Sequence, residues 1–169
     1  MSLQNFNKIT PFEINENVFK LIEKDWMLVT AGDKNKYNTM TASWGGLGIL
    51  WNKPVSFVFI RPQRYTYQFI EENSHYSLSF FDDKYRDVLN LCGTKSGKDI
   101  DKMNIENLSA LELNNGIAFN EAKLIVECKK VYFNDILPEN FLNDKINTFY
   151  KQDYHRLYIG EIENCYIKK

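Results

Sequence analysis

The stretch Ile60-Arg61-Pro62-Gln63-Arg64-Tyr65-Thr66 sets two guanidinium groups three positions apart at the end of an apolar run. The run 55–61 reads as a strand, Pro62 stops it, and a helical register opens at Thr66. The first amides of a helix have no intrahelical partners and attract anions. Arg61 and Arg64 can add charge-assisted, bidentate bonds, and Thr66 a hydroxyl donor. Such a turn has the chemistry of a phosphate cradle. The same spacing also describes a surface turn with solvated arginines and a helix-capping Thr, and spacing alone does not decide.

Three further segments carry chemical potential. In Cys92-Gly93-Thr94-Lys95-Ser96-Gly97-Lys98-Asp99-Ile100-Asp101-Lys102 only three residues separate Gly93 from Gly97. Asp99 stands where a P-loop needs Ser or Thr for magnesium, so this is not a P-loop. It is either a loop offering amides and hydroxyls to a ligand or an ordinary connection. In Asn38-Thr39-Met40-Thr41-Ala42-Ser43-Trp44-Gly45-Gly46, small and hydroxyl residues run into glycines. That composition lets backbone approach a flat ligand, with Trp44 against its ring; the other reading is a strand edge with Met40 and Trp44 in the core. The last segment, Asp153-Tyr154-His155-Arg156, holds one of only two histidines, His75 being the other. No nucleophile elbow accompanies them, which argues against a Ser-His-Asp hydrolase.

These segments need a frame. Residues 16–24 have amphipathic helical spacing, 26–31 and 38–44 read as strands, and Gly45, Gly46 and Gly48 break the regularity. A turn at 52–54 precedes the strand 55–61, and a short helix follows over 66–73. A strand at 76–81 leads to a helix at 84–92, stopped by Gly93. Residues 102–121 show no decisive pattern. A strand over 122–133, a helix over 139–150 and a last strand over 155–167, interrupted at Gly160, complete the chain. Strands with short helices inserted between them do not match a doubly wound parallel sheet; a mainly antiparallel barrel fits better.

At 169 residues the chain suits one domain with its own core. Lys plus Arg is 21, Asp plus Glu is 22, and the net charge is −1, which excludes broad electrostatic capture of nucleic acid. No apolar run approaches the roughly 20 residues of a membrane-spanning helix, and residues 1–17 lack the apolar core of a secretory signal. The three cysteines, Cys92, Cys128 and Cys165, form no C-x-x-C pair. That argues against structural zinc or a disulfide framework and for reduced, buried thiols in a cytoplasmic protein. Only four of the 21 basic residues are Arg: Arg61, Arg64, Arg86 and Arg156. In so Lys-rich a chain a retained Arg points to a position where a planar fork matters.

In this order, the segments 38–55, 59–73, 91–103 and 153–163 resemble the flavin reductase-like family of FMN-binding split barrels, and its flavoredoxin-type branch most of all. The resemblance spans roughly residues 16–165. It implies a mainly β fold, a Greek-key split β-barrel with short inserted helices, forming one domain over 1–169. It also implies a homodimer with the flavin near the subunit interface. FMN is the implied cofactor ahead of FAD, with NAD(P)H as the electron donor and a redox protein as a further partner. Thr39, Met40, Thr41, Ala42, Ser43 and Trp44 would line the flavin ring. Arg61, Arg64, Tyr65 and Thr66 would hold the phosphate or its approach. Ser96, Gly97 and Lys98 would close over the cofactor, with Lys98 standing where many relatives have Arg. His155 would sit beside the flavin or nicotinamide and act in catalysis. The implied activity is hydride transfer from nicotinamide to flavin; an FMN-binding electron carrier is the alternative. Hydride transfer needs positioning rather than a protein nucleophile, which accords with the missing triad.

Overall fold

The structure is a computed structural model that describes residues 3–169, so Met1 and Ser2 of the stretch 1–17 lie outside the described residues. Among the described residues ten strands form: β1 Phe6–Ile9, β2 Met27–Gly32, β3 Tyr37–Ala42, β4 Gly45–Leu50, β5 Lys53–Ile60, β6 His75–Phe80, β7 Ala110–Leu113, β8 Gly116–Phe119, β9 Leu124–Asp135 and β10 Arg156–Lys168. Two α-helices, α1 Tyr65–Glu72 and α2 Arg86–Thr94, are inserted between them. The main sheet runs β3-β2-β6-β9-β10-β5-β4 with β1 added to β10, and β7-β8 is a separate hairpin. Every pairing is antiparallel.

The two ends of that strand order, β3 and β4, are consecutive in the chain, joined only through Ser43 and Trp44. The sheet must therefore curl until its edges meet at this link, yet no ladder joins β3 to β4. The mainly β fold with short helices is as expected; the barrel is not closed by hydrogen bonds.

Alternation along the strands builds a core on each face. Met27, Val29 and Ala31 of β2 enter one cluster with Ile70, Phe80 and Val126, while Leu28 enters the other with Phe81, Leu89 and Phe119. Phe80 and Phe81 are adjacent, both buried, and divided between the two. Each such side chain contributes roughly 1.5–3 kcal/mol by leaving water. β9 and β10 are long because they serve both clusters, and β10 shifts register at Ile159/Gly160, where the sequence pointed to an interruption.

Four expectations need correction. The glycines after Trp44 do not break the sheet; they form β4, because the Phe57 ring of β5 lies under Gly46 and Gly48 and supplies the missing side-chain packing. The turn before β5 falls at Trp51–Asn52, both at positive φ, and not at 52–54. Gly93 does not stop α2, which runs on to Thr94 with Gly93 packed on Thr41. Residues 139–150 do not make one helix. Two 3-10 turns, Pro138–Asn140 and Asp144–Phe149, form instead, since Asn143 Oδ1 accepts from the Lys145 amide and Thr148 Oγ1 donates to the Lys145 carbonyl. Local side-chain bonds of this kind compete with helix continuation. The undecided stretch 102–121 contains the β7–β8 hairpin.

Candidate functional site

The β3–β4 link, the end of β5, the start of α1 and the loop after α2 converge on two neighbouring recesses. The first, about 190 Å³, is lined by Met40, Thr41, Ala42, Ser43, Trp44, Phe59, Arg61, Arg64 and His155. The second, about 170 Å³, is lined among others by Asn38, Met40, Arg64, Thr66, Ser96, Gly97 and Lys102. Met40 and Arg64 line both. Neither alone reaches the roughly 300 Å³ of a small-molecule site; joined as one groove, they do. The first is the flatter and sets the rings of Trp44, Phe59 and His155 among polar and cationic side chains; the second is narrower and polar.

The two arginines part company here. Arg64 donates to the carbonyls of Gly93 (2.8 Å) and Cys92 (3.4 Å), which fixes it on the wall between the recesses. Arg61 turns away from the polar end. It pairs with Asp153 at 2.5 Å and donates to the Phe149 carbonyl at 2.9 Å. The Lys151 amide, with Arg61 and Gln63, holds the Asp153 carboxyl well below the usual range. Of the residues expected at the phosphate or its approach, Arg64 and Thr66 line the polar recess, whereas Arg61 lines only the flat one.

Lys102, the last residue of the 92–102 segment, lines the polar recess that Arg61 does not reach. Lys102 is only 4% exposed, and its Nζ donates to the carbonyls of Thr39 (2.9 Å) and Cys92 (2.7 Å). An ammonium has three donors, so one remains for the recess it lines. Burial, with Arg64 nearby, pushes its pKa down to about 8. Among the described residues no carboxylate pairs with Arg64, Lys95 or Lys102, so positive charge at this end is uncompensated. α1 starts at Tyr65, bringing its first, unpartnered amides to the same recess.

Residues 20–169 match the family model described as Flavin reductase like domain. The chain belongs to the flavin reductase-like family. Its fold is similar to that of flavoredoxin from Methanosarcina acetivorans, with 25% identity, TM-score 0.67, and 95% of this chain and 77% of that chain covered. An FMN-binding domain of a flavin reductases-like enzyme from Shewanella baltica shares 16% identity with TM-score 0.69, covering 97% of this chain and 78% of that one. An NADH:FAD oxidoreductase from Streptomyces globisporus shares 12% identity with TM-score 0.62, covering 83% and 74%. Comparison with curated proteins gives no match.

For a member of the flavin reductase-like family, the groove fits a flavin. Met40, Thr41, Ala42, Ser43 and Trp44 line the flat recess, and Trp44 stays 43% exposed there. Tyr65, Thr66, Ser96 and Gly97 line the polar one. Two expected residues line neither. Thr39 is fully buried with its hydroxyl 2.9 Å from that of Thr30, and only its carbonyl serves the site, through Lys102. Lys98 lies outside, its Nζ 5.7 Å from the Tyr65 ring centre.

His155 is 8% exposed, with its ring 5.1 Å from that of Trp44 and Nδ1 3.1 Å from the Tyr150 hydroxyl. Burial, and then Arg61, push its pKa down to about 4, so the imidazole is neutral at pH 7. Unfolding restores a value near 6.5, and between these values the unfolded chain binds more protons. The stabilisation is whole above about pH 6.5 and is lost as pH falls toward 4. Wild type is expected to lose about 1–2 kcal/mol more than His155→Gln between about pH 7 and pH 4.5, measured by urea unfolding. Equal losses would place a charged imidazole in the native protein.

The three cysteines are free and buried. Burial pushes Cys92 up to about 11 and Cys165 up to about 12, and raises Cys128 as well, so none is a poised nucleophile.

Proposed function

We propose that this protein binds FMN along the joined recesses and acts as an NAD(P)H-dependent flavin reductase or oxidoreductase. The observation that carries this is one groove with a flat aromatic end and a cationic end whose charges no carboxylate neutralises. A flavin bound there supplies hydride chemistry, taking a hydride from a nicotinamide and passing it to an acceptor. Lys102, Arg64, Thr66, Ser96 and the first amides of α1 would hold a terminal phosphate, and the narrow recess suits FMN better than the longer FAD. Trp44, Met40 and the 41–43 backbone would bound the ring. His155, neutral, would present a hydrogen-bond donor or acceptor rather than a charge.

Exposed Trp44, Ile49 and Trp51 lie on and at the ends of the edge strand β4, and exposed Tyr132 of β9 meets Trp51 at 6.2 Å. This apolar strip supports a homodimer with the flavin site at its border. Three free thiols suit a reducing, cytoplasmic location. The second reading, an FMN electron carrier serving a redox partner protein, draws on the flavoredoxin likeness at 25% identity.

Adding FMN to purified protein is expected to shift the flavin visible spectrum, and anaerobic NADH or NADPH to bleach it rapidly. No spectral change with FMN or FAD would overturn flavin binding. Bleaching by dithionite alone would select the carrier.

A further inference from the structure

The segment between β9 and β10 grips the flat recess from behind. Its Asp153 and Phe149 carbonyl hold Arg61, the Arg61 guanidinium lies 5.2 Å above the Tyr150 ring, and Phe149 meets Trp44 edge-on at 6.0 Å. Tyr150 is fixed within it, its ring stacked on Phe141 at 6.0 Å and 4.9 Å from Tyr154. Its hydroxyl has one partner, Nδ1 of His155. His155 Nε2 has none, is not sealed from solvent, and belongs to a ring that lines the flat recess.

We propose that Tyr150 is a positioning residue: its hydroxyl donates to His155 Nδ1 and holds the imidazole as the Nε2–H tautomer, with that N–H turned into the recess. The direction follows from acidity. A phenol, with a pKa near 10, donates a hydrogen bond more readily than a neutral imidazole N–H, and the imidazole lone pair accepts better than a phenol oxygen. The reverse arrangement would leave the phenol proton without a protein acceptor and aim a bare lone pair at the recess. In the favoured arrangement the recess receives a neutral, oriented donor. Such a donor stabilises negative charge developing on a carbonyl or ring nitrogen of a planar acceptor. That use rests on the flavin reading; the tautomer does not.

The test is the two-bond ¹H–¹⁵N correlation of the histidines in ¹⁵N-labelled protein at about pH 7, with His75→Gln assigning the second set. The expected spectrum shows a protonated Nε2 and a bare Nδ1 for His155. Tyr150→Phe keeps the ring and its packing, and is expected to shift His155 to a mixture of tautomers. Turnover should fall about 3- to 30-fold with FMN affinity within about twofold. An Nδ1–H tautomer in wild type, or one unchanged in Tyr150→Phe, overturns the proposal. If the tautomer shifts as expected but NAD(P)H bleaches neither protein, positioning stands and the reductase reading falls.

Discussion

Lys102→Met is expected to weaken FMN binding about 10- to 100-fold while the protein stays folded. A hydrogen bond to a charged group contributes about 1.5–3 kcal/mol, and each 1.4 kcal/mol is tenfold in affinity. Met keeps the unbranched stem, one atom shorter, and removes the charge. Two bonds, to the Thr39 and Cys92 carbonyls, are lost with it, but so is the desolvation of a nearly buried ammonium. These opposing changes leave stability within about 1 kcal/mol. The wild-type affinity should also depend on pH. With a free-protein pKa of about 8, Lys102 is charged at pH 7 and loses its proton as pH rises beyond 8. The phosphate, with a second pKa near 6, is already a dianion throughout. Affinity therefore falls from about pH 8 upward in wild type and stays flat in Lys102→Met. Flavin fluorescence titrations from about pH 7 to 9 measure both. A variant within threefold of wild type at pH 7 would place the phosphate away from Lys102.

That residue also marks the limit of what the sequence discloses. Arg61 and Arg64 stand out because Arg is scarce, and their turn does lie at the groove. Lys102 is one of 17 lysines, and within the 92–102 segment nothing local sets it apart from Lys95 and Lys98. Its importance arises only when β3 and the end of α2 bring two carbonyls, 63 and 10 positions away, onto one ammonium. Arg61 shows the converse: its type and spacing suit a phosphate, but Asp153, 92 positions on, claims it. The flat recess was legible because one contiguous stretch, 40–44, forms most of it. Strand alternation turns the Thr39 side chain to Thr30 on the neighbouring strand, so Thr39 offers only its carbonyl, to Lys102. β4 was missed because its glycines hide the partner that makes a strand of them, the Phe57 ring across the ladder. The β7–β8 hairpin did leave a signal, Asn114-Asn115-Gly116 between Leu113 and Ile117, of the kind that marks tight turns.

Gly97→Ala is expected to cost at least 30-fold in FMN affinity, with a loss of stability beside it. A Cβ at Gly97 would run into Asn38 Oδ1 and come within 2.7 Å of the Tyr65 ring. Neither can yield cheaply. Asn38 is buried, its amide donating to Thr66 Oγ1 at 2.7 Å and to the Thr39 carbonyl at 3.3 Å, so rotating it strips Thr66 of its partner. Tyr65 is packed edge-on against Phe69 at 5.2 Å. The loop must withdraw instead, carrying Ser96 and the neighbouring amides away from the polar recess. Overpacking of this kind costs about 1–3 kcal/mol, a drop of roughly 3–10 °C in Tm at this chain length. The matched comparison is Gly93→Ala, three residues before Ser96 and inside α2. Its Cβ would meet Thr41 Cβ at 3.3 Å, which small shifts absorb, and Ala favours the helix by about 1 kcal/mol over Gly. Gly93→Ala should therefore bind FMN within about threefold of wild type at unchanged Tm. Should Gly97→Ala bind as tightly as Gly93→Ala, the 95–97 loop is not a wall of the phosphate site, and Lys102 and Arg64 would hold that end alone.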